Sequence, residues 1–111
     1  MNDTALSLLG LCRRAGKMNM GHDACKQSLK FGTAEACFIC SDASERLNGE
    51  ISNLAEAAGK PLYAVRYTML EIGQATGFKA SVFTVDDAGF AKSFIQKLND
   101  NKTGEERVYG K

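Results

Sequence analysis

Two short stretches of this 111-residue chain carry residue types that could do chemistry. The first is a basic turn, Arg13-Arg14-Ala15-Gly16-Lys17, running toward Gly21-His22-Asp23-Ala24-Cys25-Lys26-Gln27-Ser28-Leu29-Lys30-Phe31-Gly32. Glycine lets a partner approach the backbone closely, and the first N–H groups of a helix lack intrahelical acceptors. Those groups and the helix dipole favour anions, so a phosphate-bearing partner is the first expectation. The second stretch is Cys37-x-x-Cys40, a spacing found in metal and redox sites. In a strand, residues three apart point to opposite faces, so these two sulfurs should diverge. Cys12 and Cys25 fall on separate helical segments without paired spacing, which leaves no second ligand pair for zinc. Core packing is the better reading of all four thiols, and no metal or cofactor is expected.

His22 is the only histidine. It could exchange a proton near neutral pH or contact a phosphate. No nucleophile or orienting carboxylate can be assigned to it, so the chain is not read as an enzyme. No G-x-G-x-x-G follows a strand and no Walker lysine is present. Ser41-Asp42-Ala43-Ser44 follows a strand, where α/β proteins often place ligands, but a turn and helix cap is the preferred reading.

The elements that must position these residues alternate between helical and extended patterns. Ala5, Leu8, Leu9 and Cys12 recur at helical spacing, predicting a helix from about Asp3 to Ala15 that Gly16 ends. Met18 to Met20 reads as a very short strand, and the second helix runs from near Gly21 to a left-handed cap at Gly32. Its stripe of Ala24, Cys25, Ser28 and Leu29 should pack inward. Asp23, Lys26, Gln27 and Lys30 then face outward, with His22 at the opening. That face can contact phosphates and base edges, or it is an ordinary solvated helix surface. Ala36 to Cys40 reads as a buried strand. A third helix opens at Ser44, carries Leu47, Ile51, Leu54, Ala55 and Ala58 on one face, and stops at Gly59 before Pro61. Leu62 to Val65 is the next strand, and Thr68-Met69-Leu70-Glu71 is a capping box for a helix ending at Gly77. Ser81 to Val85 is extended, and Asp86 or Asp87 caps a last helix carrying Phe90, Phe94, Ile95 and Leu98.

Strands separated by helices imply an α/β protein: a three-layer α/β/α sandwich around a small, mixed, largely parallel sheet. Residues 1–98 form the single domain, and residues 99–111 read as a polar, flexible tail. Hydrophobic and charged fractions of 44% and 24% are those of an ordinary globular protein, and a net charge of +1 does not by itself demand nucleic acid. The distribution is more telling. Residues 1–32 hold Arg13, Arg14, Lys17, Lys26 and Lys30 against Asp3 and Asp23, whereas residues 33–58 hold five carboxylates against Arg46. That asymmetry predicts one basic face, with ordinary solvated charge as the alternative. No apolar run approaches the ~20 residues of a membrane span. The first residues lack the pattern of a secretory signal, so the expected location is the cytoplasm, where thiols stay reduced.

The order of these motifs resembles the kink-turn RNA-binding ribosomal protein family. Gly21, Leu29 and Gly32 have the spacing of its glycine-opened helix. Phe38-Ile39-Cys40-Ser41-Asp42-Ala43-Ser44 is similar to its strand and acidic turn. Glu71-Ile72-Gly73 with Gly77, and Asp87-Ala88-Gly89-Phe90-Ala91, resemble its fourth and last helices. Leu8-Leu9-Gly10-Leu11-Cys12-Arg13-Arg14-Ala15-Gly16-Lys17 most resembles the bacterial YlxQ-type branch. The likeness runs from about Leu6 to Leu98.

This resemblance implies a non-enzymatic protein that binds a kinked RNA stem at tandem sheared G·A pairs. The start of the second helix would enter the groove, and Phe78, Lys79 and Ala80 would add contacts from the loop after the fourth helix. Lys17, Lys26, Lys30 and Lys79 would anchor phosphates beside the Gly21 turn, with His22 at the helix opening. Asp23 and Gln27 would supply base selectivity. Kink-turn binders typically carry asparagine, glutamate and lysine where this chain has Asp23, Ala24 and Gln27. Each lost base contact costs ~1–3 kcal/mol by analogy with duplex recognition. The expected partner is structured RNA, kink-turn-like or ribosomal, with ribosomal proteins as further partners, no membrane, and a monomeric state. The alternative is a protein-interaction module on the same scaffold.

Overall fold

The computed structural model describes residues 3–101 and 106–109. Each element begins and ends where local chemistry dictates. Helix α1 (Thr4–Arg14) is capped by the Asp3 carboxylate, which accepts from the Ala5 and Leu6 amides. Strand β1 (Met18–Met20) leads through Gly21 into α2 (His22–Phe31). Strand β2 (Ala36–Ile39) precedes α3 (Glu45–Ala58), whose Ser44 hydroxyl accepts from the Leu47 amide. Strand β3 (Leu62–Ala64) precedes α4 (Met69–Thr76), where Thr68 and Glu71 complete the expected capping box. Strand β4 (Val82–Val85) is followed by α5 (Ala88–Asn101) and β5 (Glu106–Tyr109). Asp87 rather than Asp86 caps α5, accepting from the Phe90 amide at 2.9 Å.

The sheet order is β1-β4-β2-β3-β5. Helices α1, α4 and α5 cover one face and α2 and α3 the other, giving the three layers. The expectation of a largely parallel sheet is corrected: only β2–β3 is parallel, and the other three pairings are antiparallel. Strands β1, β2 and β3 do run the same way, as helical crossovers require. β4 instead returns antiparallel into the gap between β1 and β2, a non-local pairing that no local spacing announces.

A second difference concerns the C-terminal segment. Residues 99–111, read from sequence as a polar tail, include the end of α5 and the strand β5, which pairs antiparallel with the outer side of β3. An open strand edge presents a row of unpaired donors and acceptors, a template for pairing with another segment. The rest of residues 102–111 lies outside the described residues.

Two cores result. Between the sheet and α1, α4 and α5, Phe83, Phe38 and Tyr63 sit at matched register on β4, β2 and β3. Phe38 stacks on Phe83 at 5.3 Å and on Tyr63 at 5.5 Å, while Phe94 of α5 meets it edge-on at 4.9 Å. Between the sheet and α2 and α3, the filling is smaller: Cys25, Leu29, Cys37, Ile39, Ile51, Ala55 and Val82. Cys37 and Cys40 therefore point into different cores, as strand geometry predicts, and all four cysteines are free and buried. Burial pushes the Cys12 and Cys40 thiols up to about 12, and the Cys25 thiol rises through its hydrogen bond with Cys37 and through burial. These are protonated packing groups rather than nucleophiles.

Gly21 is the backbone special that matters for function. Its φ of 94° and ψ of 168° lie in a region essentially reserved for glycine, although a Cβ there would meet nothing within 4 Å. Gly21→Ala should therefore cost ~1–3 kcal/mol by backbone strain alone. Urea melts of the two proteins measure it, and an unchanged midpoint would contradict the strain. Phe38→Ala should cost ~3–5 kcal/mol by cavity formation. The same melts check it, and a loss below ~1 kcal/mol would mean the aromatic row is not the centre of the core.

Candidate nucleic-acid interface

The end of β1, the start of β4 and the end of β2 converge at one end of the sheet. The Gly21 amide donates to the Val82 carbonyl at 2.9 Å, and the Cys40 amide donates to the Ser81 carbonyl at 2.8 Å. These two bonds bring the opening of α2 and the loop entering β4 to the same rim. Gly21 supplies no side-chain cap, so the first turn of α2 begins with open amides. A helix terminus of this kind favours an anionic partner, although Asp23 in the first turn offsets part of its positive potential.

The loop after α4 is built by its own hydrogen bonds. Gly77 takes a left-handed conformation, and the Thr76 hydroxyl donates to the Ile72 carbonyl at 2.7 Å while accepting from the Phe78 amide at 3.3 Å. Phe78 is left 45% exposed, a large apolar surface for a contact. Lys79 is also exposed, and its stem lies on Gly73, where an added Cβ would come within 2.6 Å of its Cγ. Gly73 thus sets the course of Lys79 across α4. Ala80 is buried and contributes only through the backbone, accepting from the Cys40 thiol at 3.5 Å.

The structure adds one residue that sequence reasoning passed over. The Arg13 guanidinium carbon stands 5.9 Å from the centre of the Phe78 ring, a cation–π contact between the end of α1 and the loop. Arg13 was visible in the basic turn, but only the packing of α1 against α4 carries it to Phe78. Arg13, Phe78 and Lys79 form a cationic, aromatic lip on the rim.

The outward face of α2 divides into two sides. His22 leans toward α3, with Nε2 3.3 Å from Glu50 Oε1 and Nδ1 3.7 Å from Asp23 Oδ1. Arg46 completes the set at 3.6 Å from Glu50. Carboxylates therefore surround the imidazole that the sequence offered as a phosphate contact. Lys26 and Lys30 flank a groove between α2 and α3 floored by Leu29 and Leu54. Gln27 lies on the opposite side, toward β1.

Two candidates are remote from the rim. Lys17 enters β1 at the far end of the strand, where its carbonyl accepts from the Asp86 amide at 2.8 Å. Four residues of extended chain place it about 13 Å from Gly21. Lys30 lies about 12 Å along α2 from His22. The ten candidate residues thus do not form one patch. Gly21, Asp23, Phe78 and Lys79 share the rim; Lys26 and Lys30 run down the α3 side of α2; Gln27 lies on its β1 side, and Lys17 at the far end of β1. The acidic turn is accounted for structurally, because Asp42 accepts from the Met69 amide at 3.0 Å and Ser44 caps α3.

Comparison with known proteins agrees with this architecture. The model of the ribosomal protein L7Ae/L30e/S12e/Gadd45 family matches residues 3–95. An RNA-binding protein YlxQ from Enterococcus faecium is 31% identical over 88 residues, spanning 79% of this chain and 84% of that protein. A solved structure of a protein with unknown function from Bacillus halodurans superposes with a TM-score of 0.80 at 24% identity, covering 88% of this chain and 99% of that one. With the family model spanning nearly the whole described chain and the α2 rim built as its sequence order requires, this chain belongs to the ribosomal protein L7Ae/L30e/S12e/Gadd45 family.

Proposed function

We infer that this protein binds structured RNA without catalysing a reaction, and that it holds a kinked stem at the rim formed by Gly21 and the Phe78–Lys79 loop. The observation that carries this reading is the pair of hydrogen bonds from Gly21 to Val82 and from Cys40 to Ser81. They place an open helix start and a cationic, aromatic loop at one sheet end, where one partner can touch both. Family membership and the name of the Enterococcus faecium relative support RNA as that partner.

The division of labour follows from residue chemistry. Lys79 and Lys26 neutralise phosphate, Phe78 packs on sugar or base surface, and the α2 amides donate to an anionic oxygen. Asp23 accepts from guanine nitrogens at the cost of repelling phosphate. Gln27 adds an uncharged donor and acceptor, and Ala24 makes no polar contact. Affinity for a standard kink-turn is therefore lower than that of a binder with asparagine, glutamate and lysine at these positions. We further propose that the natural ligand is ribosomal RNA or an RNA of similar structure, bound by a cytoplasmic monomer alongside ribosomal proteins. A second reading, a protein-docking module, draws on the same Asp23, Ala24 and Gln27, because they remove RNA-reading groups while leaving the scaffold intact.

Titration against a kink-turn RNA and a control lacking its sheared G·A pairs separates the readings. Preference for the first RNA is expected, with a log–log salt slope of roughly −2 to −4 for three or four phosphate contacts. Lys79→Ala should weaken both RNAs and flatten the slope by about 1. Equal binding to the two RNAs would remove kink-turn recognition. Absence of binding to either would favour the protein-docking module.

A further inference from the structure

Along the β1-facing side of α2, a recess of about 290 Å³ opens toward the edge strand β1. Its floor is a saturated polar network centred on Asp86. Asp86 Oδ1 accepts from the Ser28 and Thr84 hydroxyls, both at 3.0 Å, and Oδ2 accepts from the Thr33 hydroxyl at 3.2 Å and from the Asn19 amide. Asn19 spends its N–H groups on Thr84 and Asp86, which leaves its side-chain oxygen free of those two bonds as an acceptor. Gln27 lines the same recess with no intramolecular hydrogen bond among the described residues. Phe31 forms the outer wall and is 72% exposed, more than any other large hydrophobic described.

We propose that this recess holds one unpaired nucleobase of the bound RNA, stacked on Phe31 and read at its edge by Gln27 and the Asn19 side-chain oxygen. The inference rests on the RNA-binding reading above but concerns a different side of α2. An exposed aromatic ring offers a platform on which single-stranded bases stack. An amide beside that platform supplies a donor and an acceptor for a base edge, a pairing best matched by adenine. Because Asp86 already accepts from four side chains, its carboxylate has little capacity left to compete for the base.

The test uses the full chain and a kink-turn stem, with and without a tail of five unpaired adenosines. With the native protein the tail should strengthen binding about tenfold, the order expected for one base stacked on an aromatic side chain. Phe31→Ala should abolish that gain while leaving the affinity for the tail-less stem unchanged, and Phe31→Trp should retain it. Because Phe31 is exposed, the alanine variant keeps the core intact. A tail that adds nothing while the stem still binds would overturn the nucleobase site alone, as would a gain that survives Phe31→Ala. Failure to bind either RNA would overturn the RNA-binding reading and this inference together.

Discussion

The architecture depends on β4 entering antiparallel between β1 and β2. That insertion sets two things at once. At the centre, it aligns Phe83 with Phe38 and, through β2, with Tyr63, so the aromatic row is a consequence of register. A slip of one residue would turn every side chain of β4 to the opposite core. At the rim, the same register fixes Val82 against Gly21 and Ser81 against Cys40. The opening of α2 and the loop after α4 come from distant parts of the chain, and they share an edge only because β4 lies where it does.

The two cores serve this arrangement differently. The aromatic core under α1, α4 and α5 supplies rigid bulk, and the packing of α1 on α4 delivers Arg13 to Phe78. The core under α2 and α3 is built from thiols and aliphatics, and beside it Ser28, Thr84 and Asp86 form a fully bonded polar layer. No buried side-chain nitrogen or oxygen among the described residues lacks a partner. α2 is thus anchored along its inner face by Cys25, Ser28 and Leu29, while its outer face presents separate chemistries on its two sides. Asp86 is central to that anchoring, because it ties β1, α2, Thr33 and β4 through side chains alone.

What could be read from the sequence was what the chain determines locally. The glycine stops at Gly32, Gly59 and Gly77, the Thr68–Glu71 box and the helical stripes all emerge within a few residues of where they were expected. The divergence of Cys37 and Cys40 was legible for the same reason, since strand geometry decides it. Non-local partners were not legible. The direction of β4, the pairing of polar β5 with β3, the Arg13–Phe78 contact and the gathering of donors on Asp86 all join segments far apart in sequence. The candidate site suffered most. Residue type singled out Lys17 and Lys30 as candidate RNA contacts, yet only the folded chain reveals that they lie away from the Gly21 rim.

The central claim is that structured RNA engages the rim made by the α2 opening and the Phe78–Lys79 loop. Amide chemical-shift mapping of the full chain during titration with a kink-turn RNA tests it most directly. The account predicts that the largest perturbations fall on residues 21–27 and 77–80. Saturable binding with those amides unmoved, and the shifts concentrated instead on the acidic face of α3, would contradict it.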